Sequence, residues 1–256
     1  MGAKEDLSEV RAAVLDAMSL MPKVYKEMYK GHCSRVAEEI SWIYEPGRVV
    51  VDLGGGVGFH SMVCCLLGMK AYNVDFFRLR PKEDGSSEHR FEAEEIAKKV
   101  GAKFIHTDLL EWDPPFEQGS IDAVMSFDNI EHLHHSPRRL YNTMFRCLKP
   151  AGLFLLGAPN AANILKRLRV PIGMNIFARL DDWYQLNHFV GHVREPIVAD
   201  LMFIGKDIGL DNIRIIGRNW LGIVKFGVWG RVVDPLLRVF PSLCSDIYLI
   251  GNKPRK

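Results

Sequence analysis

A β-branched apolar run, Arg48-Val-Val-Val-Asp-Leu53, passes straight into Gly54-Gly-Gly-Val-Gly58, and an apolar pattern resumes at Phe59. A continuous run without polar alternation reads as a strand buried on both faces. Four glycines within five residues follow it. Glycine there lets the backbone turn tightly and lets a ligand approach main-chain N–H groups. This stretch predicts a strand, a glycine turn and a helix, with a ligand at the strand's carboxyl end.

The rest of the chain repeats the alternation. Strand patterns are expected at Lys70–Asp75, Lys103–His106, Ile121–Phe127, Gly152–Ala158, Asn212–Gly217 and Asp246–Gly251. Helical spacing is expected over 7–21, Ser34–Tyr44, Phe91–Val100, Pro137–Leu148 and Glu195–Ile208, the last with Pro196 in its first turn. Alternating β and α predicts an open, mostly parallel sheet covered by helices. The loops after Leu53, Val74, His106, Ser126 and Gly157 are then the places to look for a site.

A dinucleotide turn wants GxGxxG, and the third glycine would fall at Phe59. The spacing is instead GxGxG, through Gly54, Gly56 and Gly58, with Asp52 two residues before the first glycine. The D-x-G-x-G-x-G element resembles the first motif of class I S-adenosylmethionine-dependent methyltransferases, the type 11-like group that acts on small molecules, sugars and lipids. Ile121-Asp-Ala-Val-Met-Ser-Phe-Asp-Asn-Ile-Glu-His-Leu133 resembles the family's fourth strand and following loop, and Leu148-Lys-Pro-Ala-Gly-Leu-Phe-Leu-Leu156 its turn and fifth strand. Ala151 stands where the first glycine of that turn is usual.

The resemblance implies a Rossmann-like α/β fold, a seven-stranded mostly parallel sheet with the last strand antiparallel and helices on both faces. It implies S-adenosyl-L-methionine as cofactor and S-adenosyl-L-homocysteine as product. It assigns the cofactor to Asp52, Gly54, Gly55, Gly56, Gly58, Asp75, Phe76, Asp108, Leu109, Phe127 and Asp128. Asp75 would accept the ribose hydroxyls, Asp108 the adenine amino group, and Leu109 would pack on the ring. Phe127 and Asp128 would lie beside the methionine half. A solvated loop Asp75 and a capping Asp108 are the rival readings.

Composition bounds the partners. The 256 residues are 48% hydrophobic and 25% charged, with 33 basic and 31 acidic residues for a net +2. That excludes wholesale disorder and a polytopic membrane protein, and gives no global pull toward nucleic acid. Five cysteines without a CxxC suit a reduced, cytoplasmic protein. The first ten residues show neither an apolar signal core nor a myristoylation pattern. One domain over 1–256 is expected, with a helical segment at 1–45, a cofactor core at 46–160, and acceptor-side insertions at 161–194 and 218–245.

Asp113-Pro-Pro-Phe116 resembles the tetrapeptide of amino-group methyltransferases, but it precedes the fourth strand rather than following it, and reads as a loop. His132, His134 and His135 lack the spacing of a metal set, and no metal is expected. His132 is the first candidate for a catalytic base, against the reading that it only starts a helix. His188 and His192, in Asn187-His-Phe-Val-Gly-His-Val-Arg-Glu195, come second. Trp183, Trp220 and Trp229 read equally as core or as acceptor pocket. Residues 161–180 hold Lys166, Arg167, Arg169 and Arg179 and no acid; residues 212–233 hold Arg214, Arg218, Lys225 and Arg231 and no acid. Either these are ordinary basic faces, or the acceptor is anionic, with peripheral membrane contact. The expected function is methyl transfer to oxygen of a small-molecule, sugar or lipid-linked acceptor. The alternatives are an NAD-dependent oxidoreductase and a non-catalytic S-adenosylmethionine-binding module.

Overall fold

A computed structural model describes residues 3–76, 86–177, 180–185, 189, 191–220 and 227–255. Seven strands form one sheet: β1 (Val49–Leu53), β2 (Lys70–Asp75), β3 (Lys103–His106), β4 (Ile121–Phe127), β5 (Leu148–Pro159), β6 (Asp211–Arg218) and β7 (Asp246–Asn252). Their order is β3-β2-β1-β4-β5-β7-β6. The sheet is parallel except at its last strand, where β7 runs antiparallel to β6. The order reverses between β1 and β4, the topological switch point of such sheets.

The chain divides into two compact units, Met1–Met125 with Arg146–Leu153, and Ser126–Phe145 with Phe154–Lys256. In the first, α1 (Ala3–Leu20) packs on α3 (Cys33–Ser41) and α4 (Phe59–Leu66). Val10, Val14 and Ala17 of α1 and Val36 and Ile40 of α3 are buried, the helical stripes that their spacing requires. The short α2 (Lys23–Tyr29) lies between them in sequence, and Tyr29 stacks on Phe59 with ring centroids 4.4 Å apart. Helix α5 (Ser86–Val100) leads into β3. The Asp113–Phe116 stretch is a loop between β3 and β4, as its position implies; Phe116 packs edge-on against Tyr72 and Trp112.

The second unit holds α6 (Arg138–Cys147, up to Phe145), α7 (Ile164–Arg169), α8 (Leu180–Gln185), α9 (Val198–Asp207) and α10 (Gly227–Arg238). Helix α9 begins at Val198 and not at Glu195. Pro196 precedes it, and the Asp200 carboxylate accepts the Ile197 N–H at 3.1 Å, so the cap falls after the proline. The excursion after β5 is tied at its ends: Ala161 N–H donates to Pro196 O at 3.1 Å. No helix among the described residues is long and apolar enough to cross a membrane.

Candidate functional site

The first unit builds a turn braced by β2. The turn needs left-handed backbone at Gly54, Gly56 and Gly58. Gly54 N–H extends the ladder to Val74 O at 2.7 Å. Gly56 N–H donates to Asp75 Oδ2 at 2.8 Å, and Asn73 Nδ2 donates to Gly56 O at 3.0 Å. At Gly55 the constraint is space. A Cβ would overlap Asn73 Oδ1 and the Asp52 carboxylate. Asn73 Oδ1 is buried without a partner. A narrow, glycine-walled cradle with an orphaned acceptor fits a ligand that approaches main chain closely.

Asp52 lies beneath this turn, 2% exposed, with Ser61 Oγ 3.4 Å from its Oδ2. Burial pushes its carboxyl up to about 6; the His60 charge pulls the other way and Asp75 adds to the rise. Asp75 is half-buried at the end of β2. Burial raises its pKa, opposed by the Gly56 N–H and by Arg90 and His106. Phe76 follows it, exposed. Asp75 O accepts Thr107 N–H at 3.1 Å, which pins the loop after β3. There Leu109 is buried, and Asp108 Oδ1 accepts Leu110 N–H at 3.0 Å. Asp108 thus caps its own turn in this state.

In the second unit Phe127 is buried edge-on against Tyr248, at 5.9 Å between centroids. Gly157 makes this packing possible, since a Cβ there would sit 2.6 Å from the Tyr248 ring and 2.7 Å from Phe127. Asp128 is exposed, with φ of 48°, held by its N–H to Gly157 O at 2.9 Å.

A 3-10 turn, Ile130–His132, follows. Its carbonyl at Glu131 accepts Val193 N–H at 2.7 Å and Arg194 N–H at 3.3 Å. His132 Nδ1 lies 3.2 Å from Gly191 O, and His134 Nε2 3.1 Å from Phe189 O. These bonds bring His192 against His132, edge-on with ring centroids 4.9 Å apart. His192 Nδ1 is 2.8 Å from Glu195 Oε1, and Lys166 pairs with the other Glu195 oxygen. The Glu195 bond raises the His192 pKa against the effect of burial. Glu131 is 1% exposed, and neither carboxylate oxygen has a hydrogen-bond partner. Burial lifts it to about 7, with Asp128 adding to the rise. Sequence reasoning named both histidines, offered Lys166 only as one of the cations for an anionic acceptor, and missed Glu131 and Glu195. The two acids stood inside the quoted motifs, but no spacing links position 131 to 192. His188, Arg179 and Lys225 lie outside the described residues.

His192 also borders an open groove of about 360 Å³, with Phe177, Leu180, Trp183, Phe189 and Val193 as its apolar walls. Of the three tryptophans, Trp183 lines this groove, Trp220 donates its indole N–H to Tyr248 OH at 2.9 Å, and Trp229 is exposed on α10.

Known proteins agree with this architecture. Residues 51–156 match a family described as a methyltransferase domain. An uncharacterized methyltransferase of Mycobacterium sp. strain KMS is 32% identical over 110 residues, covering 43% of this chain and 38% of that protein. A homologue from strain JLS is 31% identical over the same length. The chain thus spans well under half the length of the curated relatives it matches. Among solved structures, Haemonchus contortus phosphoethanolamine N-methyltransferase 2 in complex with S-adenosyl-L-methionine aligns with a TM-score of 0.58 and 15% identity, over 86% of this chain and 52% of that one. A SAM-dependent methyltransferase from Archaeoglobus fulgidus gives 0.55 and 17%, over 90% and 98%. At such identities the structural likeness speaks for the fold. Residues 51–156 thus resemble a methyltransferase domain, and the sheet around them has the fold of solved S-adenosylmethionine-dependent methyltransferases.

Proposed function

We propose that the protein transfers a methyl group from S-adenosylmethionine to an oxygen of a small-molecule, sugar or lipid-linked acceptor, as one domain with its acceptor side built from 161–194 and 218–245. S-adenosylmethionine, when bound, supplies an activated methyl group and leaves as S-adenosylhomocysteine. Gly54, Gly55, Gly56 and Gly58 let it approach the main chain closely, in a turn shaped from below by Asp52. Asp75 and Phe76 take its ribose side, Asp108 and Leu109 its adenine. Phe127 and Asp128 are assigned to it on the sequence resemblance. The observation that carries the oxygen acceptor is the His192–Glu195 contact at the wall of the apolar groove. A displacement from a sulfonium needs alignment, exclusion of water and, for a hydroxyl acceptor, a group that activates it. His132 and His192 are the residues given that work. Methyl transfer from labelled cofactor to a fractionated cell extract tests the reading: label is expected in ether linkages, and label confined to amines overturns it.

A second observation favours an acceptor at an anionic membrane surface. Helix α10 carries its apolar stripe outward. Val228, Trp229 and Leu236 are 73%, 76% and 67% exposed, and Val232, Val239 and Phe240 continue the stripe. Its polar side faces inward, where Asp234 accepts from Asn219 Nδ2 at 2.8 Å and pairs with Arg238 at 2.6 Å. An outward apolar stripe with a tryptophan and arginines suits a helix lying in a headgroup layer.

A further inference from the structure

We propose that Glu131, His132 and His192 bind one divalent transition-metal ion. The proposal deepens the reading of this cluster as the group that activates the acceptor hydroxyl, and rests on it for its role. One ligand atom from each residue lies within 4.8 Å of the others. Bonds of 2.0–2.2 Å to a tetrahedral ion place ligands about 3.4 Å apart, so small side-chain rotations close the set.

Glu131 carries the argument. A buried carboxylate is ordinarily paired, hydrogen-bonded or bound to a cation, because desolvation costs it several kcal/mol otherwise. This one is 1% exposed and has no hydrogen-bond partner on either oxygen. The imidazoles of His132 and His192 lie within reach of it, and the Glu131 charge also acts on the buried Tyr141 hydroxyl.

The histidines carry the outer contacts that metal ligands show. A ligating imidazole donates its far N–H to a carboxylate or carbonyl, which fixes its tautomer. His192 Nδ1 faces Glu195 at 2.8 Å and His132 Nδ1 faces Gly191 O at 3.2 Å. Both acceptors require Nδ1 to hold the proton, which makes Nε2 the basic nitrogen on each ring. The cluster is pre-assembled, since Glu131 O accepts the N–H groups of Val193 and Arg194.

One carboxylate and two imidazoles favour zinc, cobalt, nickel, manganese or iron over magnesium or calcium. Three protein ligands leave a coordination position open. His192 is shared with the apolar groove, so an acceptor hydroxyl held there can fill it. A bound hydroxyl gives up its proton to solvent more readily, with no change in oxidation state. The expectation of no metal came from His132, His134 and His135. The third ligand stands at position 192, and only the fold brings it to the pair at 131 and 132.

The untagged full chain, freed of metal with a chelator, is titrated with Co²⁺ in the absence of cofactor and acceptor. Saturable binding of one equivalent is expected, with visible ligand-field bands that Zn²⁺ abolishes. His192→Ala and Glu131→Gln should each weaken it at least tenfold. His192 is exposed, so its variant stays informative if the buried Glu131→Gln fails to fold, which circular dichroism reports. No saturable binding, or binding unchanged in His192→Ala, overturns the proposal. The readout needs no turnover, so failure here leaves oxygen methylation standing, and failure of the labelled-methyl assay leaves the metal site standing.

Discussion

His192 Nδ1 sits 2.8 Å from the Glu195 carboxylate, and since an ionised carboxylate only accepts, this contact decides which ring nitrogen is left to react. If the pair activates the acceptor, His192→Ala lowers kcat by roughly a hundredfold or more. Glu195→Gln keeps an acceptor at the same place and should lose about tenfold, with KM for S-adenosylmethionine unchanged in both. Rates within twofold of wild type in both variants would remove the pair from the chemistry.

Gly55→Ala tests the cradle by space alone. Its Cβ would occupy the volume of the Asn73 and Asp52 side chains, so the turn must shift. We expect S-adenosylhomocysteine affinity to fall at least tenfold by calorimetric titration. Asp75→Ala removes the carboxylate that holds Gly56 N–H, and a charge-assisted contact predicts a loss of about 10–100-fold. Unchanged affinity in Asp75→Ala would mean that the carboxylate braces the turn and does nothing else.

Ala151 is a stability prediction in the opposite direction. It has φ of 63°, in the region that favours glycine. Left-handed backbone costs an L-residue roughly 1–2 kcal/mol, part of which glycine returns as unfolded-state entropy. Ala151→Gly should stabilise by about 1 kcal/mol, raising Tm by roughly 2–4 °C. A lower Tm would show that the methyl group makes a packing contribution larger than the strain.

Glu39 links two cations in the first unit, accepting from Arg35 Nε at 2.8 Å and contacting His60 Nε2 at 2.8 Å. Burial alone would raise its pKa, yet Arg35 and His60 outweigh it and hold Glu39 at about 2. His60 is raised above its ordinary value, because the Glu39 bond and charge overcome burial. The signs follow. The Glu39 contribution is present above its ordinary 4.5 and is lost as pH falls toward 2. The His60 contribution is complete below its ordinary 6.5 and is lost as pH rises through the higher folded value. Urea unfolding should show His60→Gln costing more at pH 6 than at pH 8.5. Glu39→Ala should cost about 3–5 kcal/mol at neutral pH, as for a broken buried pair. A His60→Gln cost independent of pH would contradict the coupling.

Helix α10 gives a test on lipid. The unmodified chain should float with vesicles containing phosphatidylglycerol and less so with neutral ones, and salt should weaken the contact. Trp229→Asp with Leu236→Asp should cut flotation at least tenfold while changing stability by no more than about 0.5 kcal/mol per site, since both side chains are exposed. Absence of flotation by the unmodified chain would dispose of the membrane reading.

The strands were the legible part of this chain. Ile121–Phe127 has the bounds that its apolar run implies, because a parallel strand buried on both faces leaves no ambiguity of period, and the expected bounds of Lys103–His106 hold although this edge strand is only partly buried. Strand β5 starts at Leu148 rather than Gly152, running back through the turn with Ala151 bending it. Helix α10 was hidden by composition: Gly227, Gly230 and Pro235 all argue against a helix, and its stripe faces outward. The glycine turn and Asp75 could be read from local order. The meeting of Glu131 with His192 could not, being set by hydrogen bonds between segments far apart in sequence.

The bond between Ala161 and Pro196 has its own consequence. An excursion whose two ends are fastened to each other behaves as a cassette. Its interior can lengthen, shorten or change its side chains while the exit points stay put, because loop closure costs little more with each added residue. The groove walls Phe177, Leu180 and Trp183 lie inside that cassette with His192 and Glu195, whereas Glu131 and His132 lie outside it. A changed excursion therefore alters the acceptor walls together with His192 and Glu195, while Glu131 and His132 stay on a separate length of chain that need not change with them.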